Sequence, residues 1–164
     1  MTRNHAQTSE RRTARSQASW NRLYLEDETA WLDLMSQLVK ERRFDELDRK
    51  NLSEYLNDMA KRDRREVLSR LRILLIHRLK WDYQPRRRSK SWKNTIFEQQ
   101  SELEFDFESK TLRNHAQDVL PKAYGKAVVA AARETELPES TFPRECPYTL
   151  DALLSDEWEH PHGE

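Results

Sequence analysis

Glycine occurs only twice in this chain, at Gly125 and Gly163. Tight turns between β-strands draw on glycine for backbone angles with positive φ, so a fold made of strands would need several. What replaces glycine is informative. Charged residues make up 35% of the chain and apolar residues 36%, with Leu, Ala, Glu, Arg and Lys abundant. That is the composition of amphipathic helices with solvated outer faces. A chain of 164 residues is long enough for one domain around one core.

Apolar spacing locates the helices. Trp31, Leu34, Met35 and Leu38 fall at i, i+3, i+4 and i+7 and form one stripe. After a polar bend over residues 40–43, Leu52, Tyr55, Leu56 and Met59 repeat the spacing in a second helix capped near Asp48. A third helix is expected from about Arg62 to Trp81, with Val67, Leu68, Leu71, Leu74, Leu75 and Leu79 in a wide apolar band suited to a central position. Pro85 lacks an amide hydrogen and biases Gln84 away from helical angles, which ends that helix.

A fourth helix, capped by Ser89 or Ser91, places Trp92, Ile96, Gln99 and Leu103 inward and carries Glu98, Glu102, Glu104, Asp106 and Glu108 outside. Residues 111–134 read as a fifth helix in which Pro121 predicts a kink or a restart, because a proline inside a helix costs about 3 kcal/mol. Its alanines suit close helix approach. Pro138, Pro143 and Pro147 then favour an extended path over the bundle, and Thr149 caps a short helix from Leu150 to Leu154. The expected architecture is all-α: a single-domain helical bundle of about five main helices with an extended proline-rich C-terminal segment. Residues 1–22 are expected to be a basic tail without periodicity, 23–158 the helical domain and 159–164 a flexible end.

The charges balance overall but not along the chain. Residues 1–93 hold 23 Lys and Arg against 14 Asp and Glu, whereas residues 94–164 hold 6 against 15. The densest stretch, 61–93, has 13 basic residues and 3 acidic ones. It contains the segment His-Arg-Leu-Lys-Trp-Asp-Tyr-Gln-Pro-Arg-Arg-Arg-Ser-Lys-Ser-Trp, residues 77–92, whose cations and aromatics are the elements of a phosphate grip with stacking platforms. Periodicity argues against free platforms. Trp81 follows Leu74 by seven and Trp92 opens the inner stripe of the fourth helix, so both indoles are expected as structural anchors. The remaining candidates for binding a partner or an anion are His77, Lys80, Arg86, Arg87, Arg88 and Lys90.

The same ordered segments carry a family resemblance: His77 to Trp81, Tyr83-Gln84-Pro85, Arg88-Ser89, Ser91-Trp92, Thr95-Ile96, Ala123-Tyr124, Glu134-Thr135, Leu137-Pro138, Phe142-Pro143 and Cys146-Pro147-Tyr148-Thr149. In order and over about Leu23 to Trp158, they resemble the bacterial family called domain of unknown function 29. The resemblance implies a helical single-domain protein of cyanobacteria and proteobacteria and no established activity, so no catalytic residues carry over. It also implies an aliphatic residue at the place of Arg78, an acid at that of Arg86 and often tryptophan at that of Tyr148.

Other chemistry is weakly represented. One cysteine, Cys146, excludes an internal disulfide and a multi-cysteine zinc site, and fits a reducing cytoplasm. His160 and His162 with nearby glutamates are better read as a solvated end than as a metal site, and no metal or cofactor is expected. The longest apolar runs are too short to span a bilayer. A catalytic reading would use His77 as a base beside Lys80, but it lacks a nucleophile; a helix-end histidine bonded to carbonyls, or to a carboxylate such as Glu54 or Asp58, accounts for the same pattern. Arg64, Arg65, Arg70 and Arg72 of the third helix can pair with acids of the second or the fourth, the run Glu98 to Glu108 being the obvious partner. The leading functional expectation is a cytoplasmic interaction module that binds protein, or a second copy of itself, through complementary basic and acidic faces. Nucleic-acid or other polyanion binding by residues 61–93 comes second, and an enzyme centred on His77 and Lys80 third.

Overall fold

The computed structural model describes residues 19–155, and every regular element among them is helical. Helix α1 occupies 19–26, inside the segment expected as a tail for its first residues, and α2 follows as Glu28–Lys40. The long helix α3 is Arg49–Tyr83, α4 is Lys90–Asp106, α5 is Lys110–Thr135 and α6 is Leu150–Leu154. The chain divides into two compact units, one ending at Ala60 and one beginning at Lys61. In place of the one core expected from chain length, the described residues form two apolar clusters.

The smaller cluster is built on Trp31, Met35 and Leu38, with Trp20, Leu23, Tyr24, Leu52 and Tyr55 packed against them. Trp31 is fully buried, its ring edge-on to Tyr24 at 4.8 Å and tilted against Tyr55 at 5.9 Å. A buried indole needs an acceptor for its N–H. Here Trp31 Nε1 donates to Asp48 Oδ2 at 3.2 Å. Asp48 also accepts from the Asn51 amide at 3.3 Å and from Asn51 Nδ2 at 2.6 Å. One buried carboxylate therefore caps α3 and satisfies the tryptophan of α2.

The second and third helices expected from the sequence are one. Between Met59 and Val67 the residues are Ala, Lys, Arg, Asp, Arg, Arg and Glu, with no glycine or proline to stop a helix. The continuity has a consequence for Leu56 and Met59, expected on an inner face: they are exposed at 57% and 38%.

In the larger unit, α3 is the centre. Val67, Leu71, Leu74, Leu75 and Leu79 are all fully buried and pack with Ile96 and Leu103 of α4 and with Ala116, Ala123, Ala127 and Ala131 of α5. Small side chains on α5 permit the close approach its sequence predicts. Gln100 of α4, rather than the expected Gln99, is the buried glutamine, and its Nε2 donates to the carbonyls of Leu153 at 2.8 Å and Ser155 at 3.1 Å. α5 runs through Pro121 without a break. Of the kink or restart that the sequence predicts there, the restart does not occur; Pro121 stands on an exposed side of the helix, where its ring meets solvent.

After α5 the chain is extended apart from a 3-10 turn at Glu139–Thr141. Side chains bind this strap to the helices. Tyr124 OH donates to the Pro143 carbonyl at 2.8 Å, Tyr148 OH donates to Asp82 Oδ2 at 2.6 Å, and Phe142 packs edge-on to Tyr83 at 5.1 Å. Burial raises the Tyr124 phenol to about 12, so it stays protonated and donating across the neutral range. Thr149 caps α6 through its hydroxyl, as expected.

Candidate functional site

The segment singled out by the sequence lies at the C-terminal end of α3, and its first task there is to close the helix. Gln84 takes φ −130° and ψ 61° before Pro85, which opens a 3-10 turn over Pro85–Arg87. Arg88 then folds back. Its Nε donates to the Trp81 carbonyl at 3.0 Å, and its guanidinium sits 5.0 Å above the Trp81 ring. One arginine thus covers an indole face and satisfies a carbonyl left open by the end of the helix. Ser89 caps α4, accepting from the Trp92 amide at 3.2 Å.

Lys80 is also turned inward. Only 8% of it is exposed, its ammonium donates to Glu134 Oε2 at 2.7 Å, and it lies 4.6 Å from the centre of the Trp92 ring. Gln84 Nε2 donates to the Thr135 carbonyl at 2.9 Å. The end of α3 is therefore fastened to the end of α5 by an ion pair and a carbonyl bond one turn apart. Cations and amide donors are the groups that a helix C-terminus favours.

His77, half-buried on the same face, directs Nδ1 at the Ile73 carbonyl, 2.9 Å away. Burial, reinforced by the nearby Lys80 ammonium, holds its pKa below the ordinary histidine value, although the Ile73 carbonyl bond works the other way. A hydrogen-bonded helix-end histidine is what these contacts describe. Cys146 is similar in kind: burial pushes its thiol upward, and the thiol donates to the Tyr148 carbonyl at 3.4 Å. Neither group has the features of an activated nucleophile or base.

Of the six sequence candidates, Lys80, Arg88 and His77 are therefore committed to neighbours within the fold. Arg86, Arg87 and Lys90 are exposed. Arg86 and Arg87 occupy the turn between α3 and α4, Lys90 opens α4, and no ion pair with a described residue engages them. Trp81 is buried, and Trp92 is half-buried against the main cluster.

Further back on α3 the arginines divide by face. Arg70 pairs with Glu66 on its own helix and with Glu102 of α4, with Asp106 of α4 3.6 Å from its Nε. This is the expected match of α3 with α4 for Arg70, whereas Arg65 and Arg72, expected to pair likewise, form no ion pair with a described residue. Glu98, Glu104 and Glu108 remain exposed. The Asp106 carboxyl is nevertheless pushed above its ordinary value, because burial and the carboxylates of Glu66, Glu102 and Asp63 outweigh the attraction of Arg70. Arg65 and Arg72, on a different face, line a cavity of about 150 Å³ with Leu68, Ser69, Ala123 and Lys126. The sequence offers Arg65 and Arg72 only as partners for acids of neighbouring helices, and no local signal links them to Lys126, more than fifty positions further on.

Among the described residues no helix is long and apolar enough to cross a membrane. Nor does any group of three or more His, Cys, Asp and Glu among them form a place for a metal ion. His160 and His162 lie outside the described residues.

Comparison with known families matches residues 23–159 to the family described as Domain of unknown function DUF29. The chain belongs to this family. The match takes in both compact units and ends near the last described helix, so the DUF29 domain includes the small Trp31 cluster as well as the α3-centred core. No curated protein and no solved structure gives a match to the chain.

Proposed function

We propose that this DUF29 protein is a helical binding module that takes a carboxylate-rich protein surface on Arg86, Arg87 and Lys90. The observation that carries the proposal is the division of labour around Pro85. Lys80 and Arg88 are spent on Glu134 and on the Trp81 carbonyl, bracing the turn, and the three cations between and beside them stay exposed on it. A braced turn presents its charges at lower entropic cost than a loose loop. Arginine forks favour carboxylates, and exposed charge complementarity sets association rate and partner choice. The exposed acids of α4, Glu98, Glu104 and Glu108, are one such surface on a second copy. The half-buried thiol of Cys146 fits a reducing compartment, and we place the module in the cytoplasm.

Nucleic acid is the less favoured ligand of the same turn. Base stacking needs free aromatic faces, whereas Arg88 lies over Trp81 and Lys80 over Trp92. Phosphate contacts alone would remain.

The test compares fluorescence anisotropy of a labelled polyglutamate peptide with that of labelled single- and double-stranded DNA, at low and high salt, for the natural chain and for R86E/R87E. Binding of the peptide, weakened by salt and lost in the variant, is expected. Sedimentation of the chain alone at both salt concentrations reports whether a second copy serves as the acidic surface. Tight DNA binding with no peptide binding would replace this reading with the nucleic-acid one, and peptide binding unchanged in R86E/R87E would remove the turn from it.

A further inference from the structure

The cavity on the far stretch of α3 has a chemistry of its own. Arg65, Leu68, Ser69 and Arg72 stand at i, i+3, i+4 and i+7 on α3, and Ala123 and Lys126 stand at i and i+3 on α5. Three cations and a hydroxyl therefore border one space, with Leu68 as an apolar wall and the buried Ala123 lining its inner part. No carboxylate is in the lining. The ion pairs among the described residues engage Arg70, Lys80, Arg113 and others, but not Arg65, Arg72 or Lys126. A serine within a helix commonly bonds back to the carbonyl four residues earlier, whereas the Ser69 hydroxyl has no hydrogen bond with a described residue.

Like charges gathered around one space repel each other, and an anion between them removes that cost. The two guanidinium forks start roughly 10 Å apart along α3, at 1.5 Å rise per residue. Long side chains can converge from those positions on the space above Ser69, with Lys126 closing from α5. Forked donors, a hydroxyl and an ammonium together match a tetrahedral oxyanion, which has acceptors in several directions. Size narrows the ligand. A cavity of about 150 Å³ equals the liquid volume of about five waters and falls below the roughly 300 Å³ at which sites for drug-sized molecules begin.

We infer that Arg65, Ser69, Arg72 and Lys126 form a binding site for a phosphate group, either inorganic phosphate or the phosphate end of a small phosphomonoester. The site goes beyond the acidic-protein reading and uses none of the residues of the Pro85 turn.

Titration calorimetry with inorganic phosphate and, separately, with glycerol 3-phosphate tests it on the full chain, in a fixed background of sodium chloride. Saturable binding is expected, weakened at least about tenfold in R72Q and in R65Q, since each removes a charge-assisted bond to the anion. R86Q/R87Q should bind as the natural chain does. Because Arg65 and Arg72 are exposed, circular dichroism should report unchanged helix in both single variants, and R72K should restore part of the affinity. Tighter binding of glycerol 3-phosphate points to a phosphomonoester, and tighter binding of phosphate to the free ion. Three outcomes overturn the site: neither probe saturates, folded R65Q and R72Q bind undiminished, or R86Q/R87Q alone abolishes binding. Loss of polyglutamate binding in R86E/R87E with phosphate binding intact would show the two readings to be independent.

Discussion

The guanidinium of Arg78 lies 5.2 Å from the centre of the Tyr148 ring, and the hydroxyl of that ring donates to Asp82, one helical turn beyond Arg78 on α3. Arg78 and Tyr148 are contact partners across the strap. Burial opposes the charge of Arg78 and lowers its pKa, and burial with the Asp82 carboxylate raises that of Tyr148. The pair holds the C-terminal strap to α3. Replacing both, R78L with Y148W, should therefore cost less than the sum of R78L and Y148W alone. A coupling of about 0.5–2 kcal/mol is expected from a buried cation over an aromatic ring. Urea denaturation of the four proteins measures it, and strict additivity would show that the contact contributes nothing of its own.

The Lys80–Glu134 pair is unequal in exposure, and the inequality predicts which substitution costs more. The Lys80 side chain is 10% exposed and that of Glu134 is 39% exposed. E134A strands an ammonium in a nearly closed site, whereas K80M leaves a carboxylate that water reaches and retains an apolar stem beside Trp92. E134A should lose about 1–3 kcal/mol and K80M less, because leaving a buried charge unsatisfied is the larger penalty. Denaturant midpoints at neutral pH decide the order.

How much of this was legible in the sequence depends on how far apart the cooperating residues stand. Local signals read well: Trp31 with Met35 and Leu38, the stop at Gln84-Pro85, the Ser89 cap and the Thr149 cap all rest on neighbours within a few positions. The division of the apolar residues into two clusters was not readable, since a stripe shows which side is apolar but not what covers it. Likewise Lys80, Arg86 and Arg88 look alike as members of one basic run. The tertiary position of Glu134 and the return of Arg88 to the Trp81 carbonyl separate these two committed cations from Arg86. The cavity cations were the hardest to find, because Arg65 and Arg72 meet Lys126 only through the packing of α3 on α5.

The depressed pKa of His77 makes it a source of acid sensitivity. The folded chain resists protonating His77 and the unfolded chain does so near 6.5, so between those values the unfolded state binds more protons. The contribution of His77 is then fully present above about pH 6.5 and is lost as pH falls from there through the folded-state pKa. Stability measured from pH 7.5 down to 5 should decline, and H77Q, which cannot charge, should decline less steeply. An equal slope in the two proteins would assign the acid sensitivity to other groups.

Pro121 offers a test of α5 itself. It sits twelfth in a helix of 26 residues, exposed, and cannot donate to the carbonyl four residues earlier. The helix persists because the alanine face on the other side, Ala116, Ala123, Ala127 and Ala131, is held against α3 and α4. Packing thus outweighs an intrinsic cost of about 3 kcal/mol. P121A restores the missing donor and adds no buried volume, though it also frees the unfolded chain, which offsets about 0.4–1 kcal/mol of the gain. A net stabilisation of about 1–2 kcal/mol is expected, seen as a higher urea midpoint with an unchanged slope. A lower midpoint would mean that the proline ring is needed where it stands and that the surrounding backbone has adapted to it.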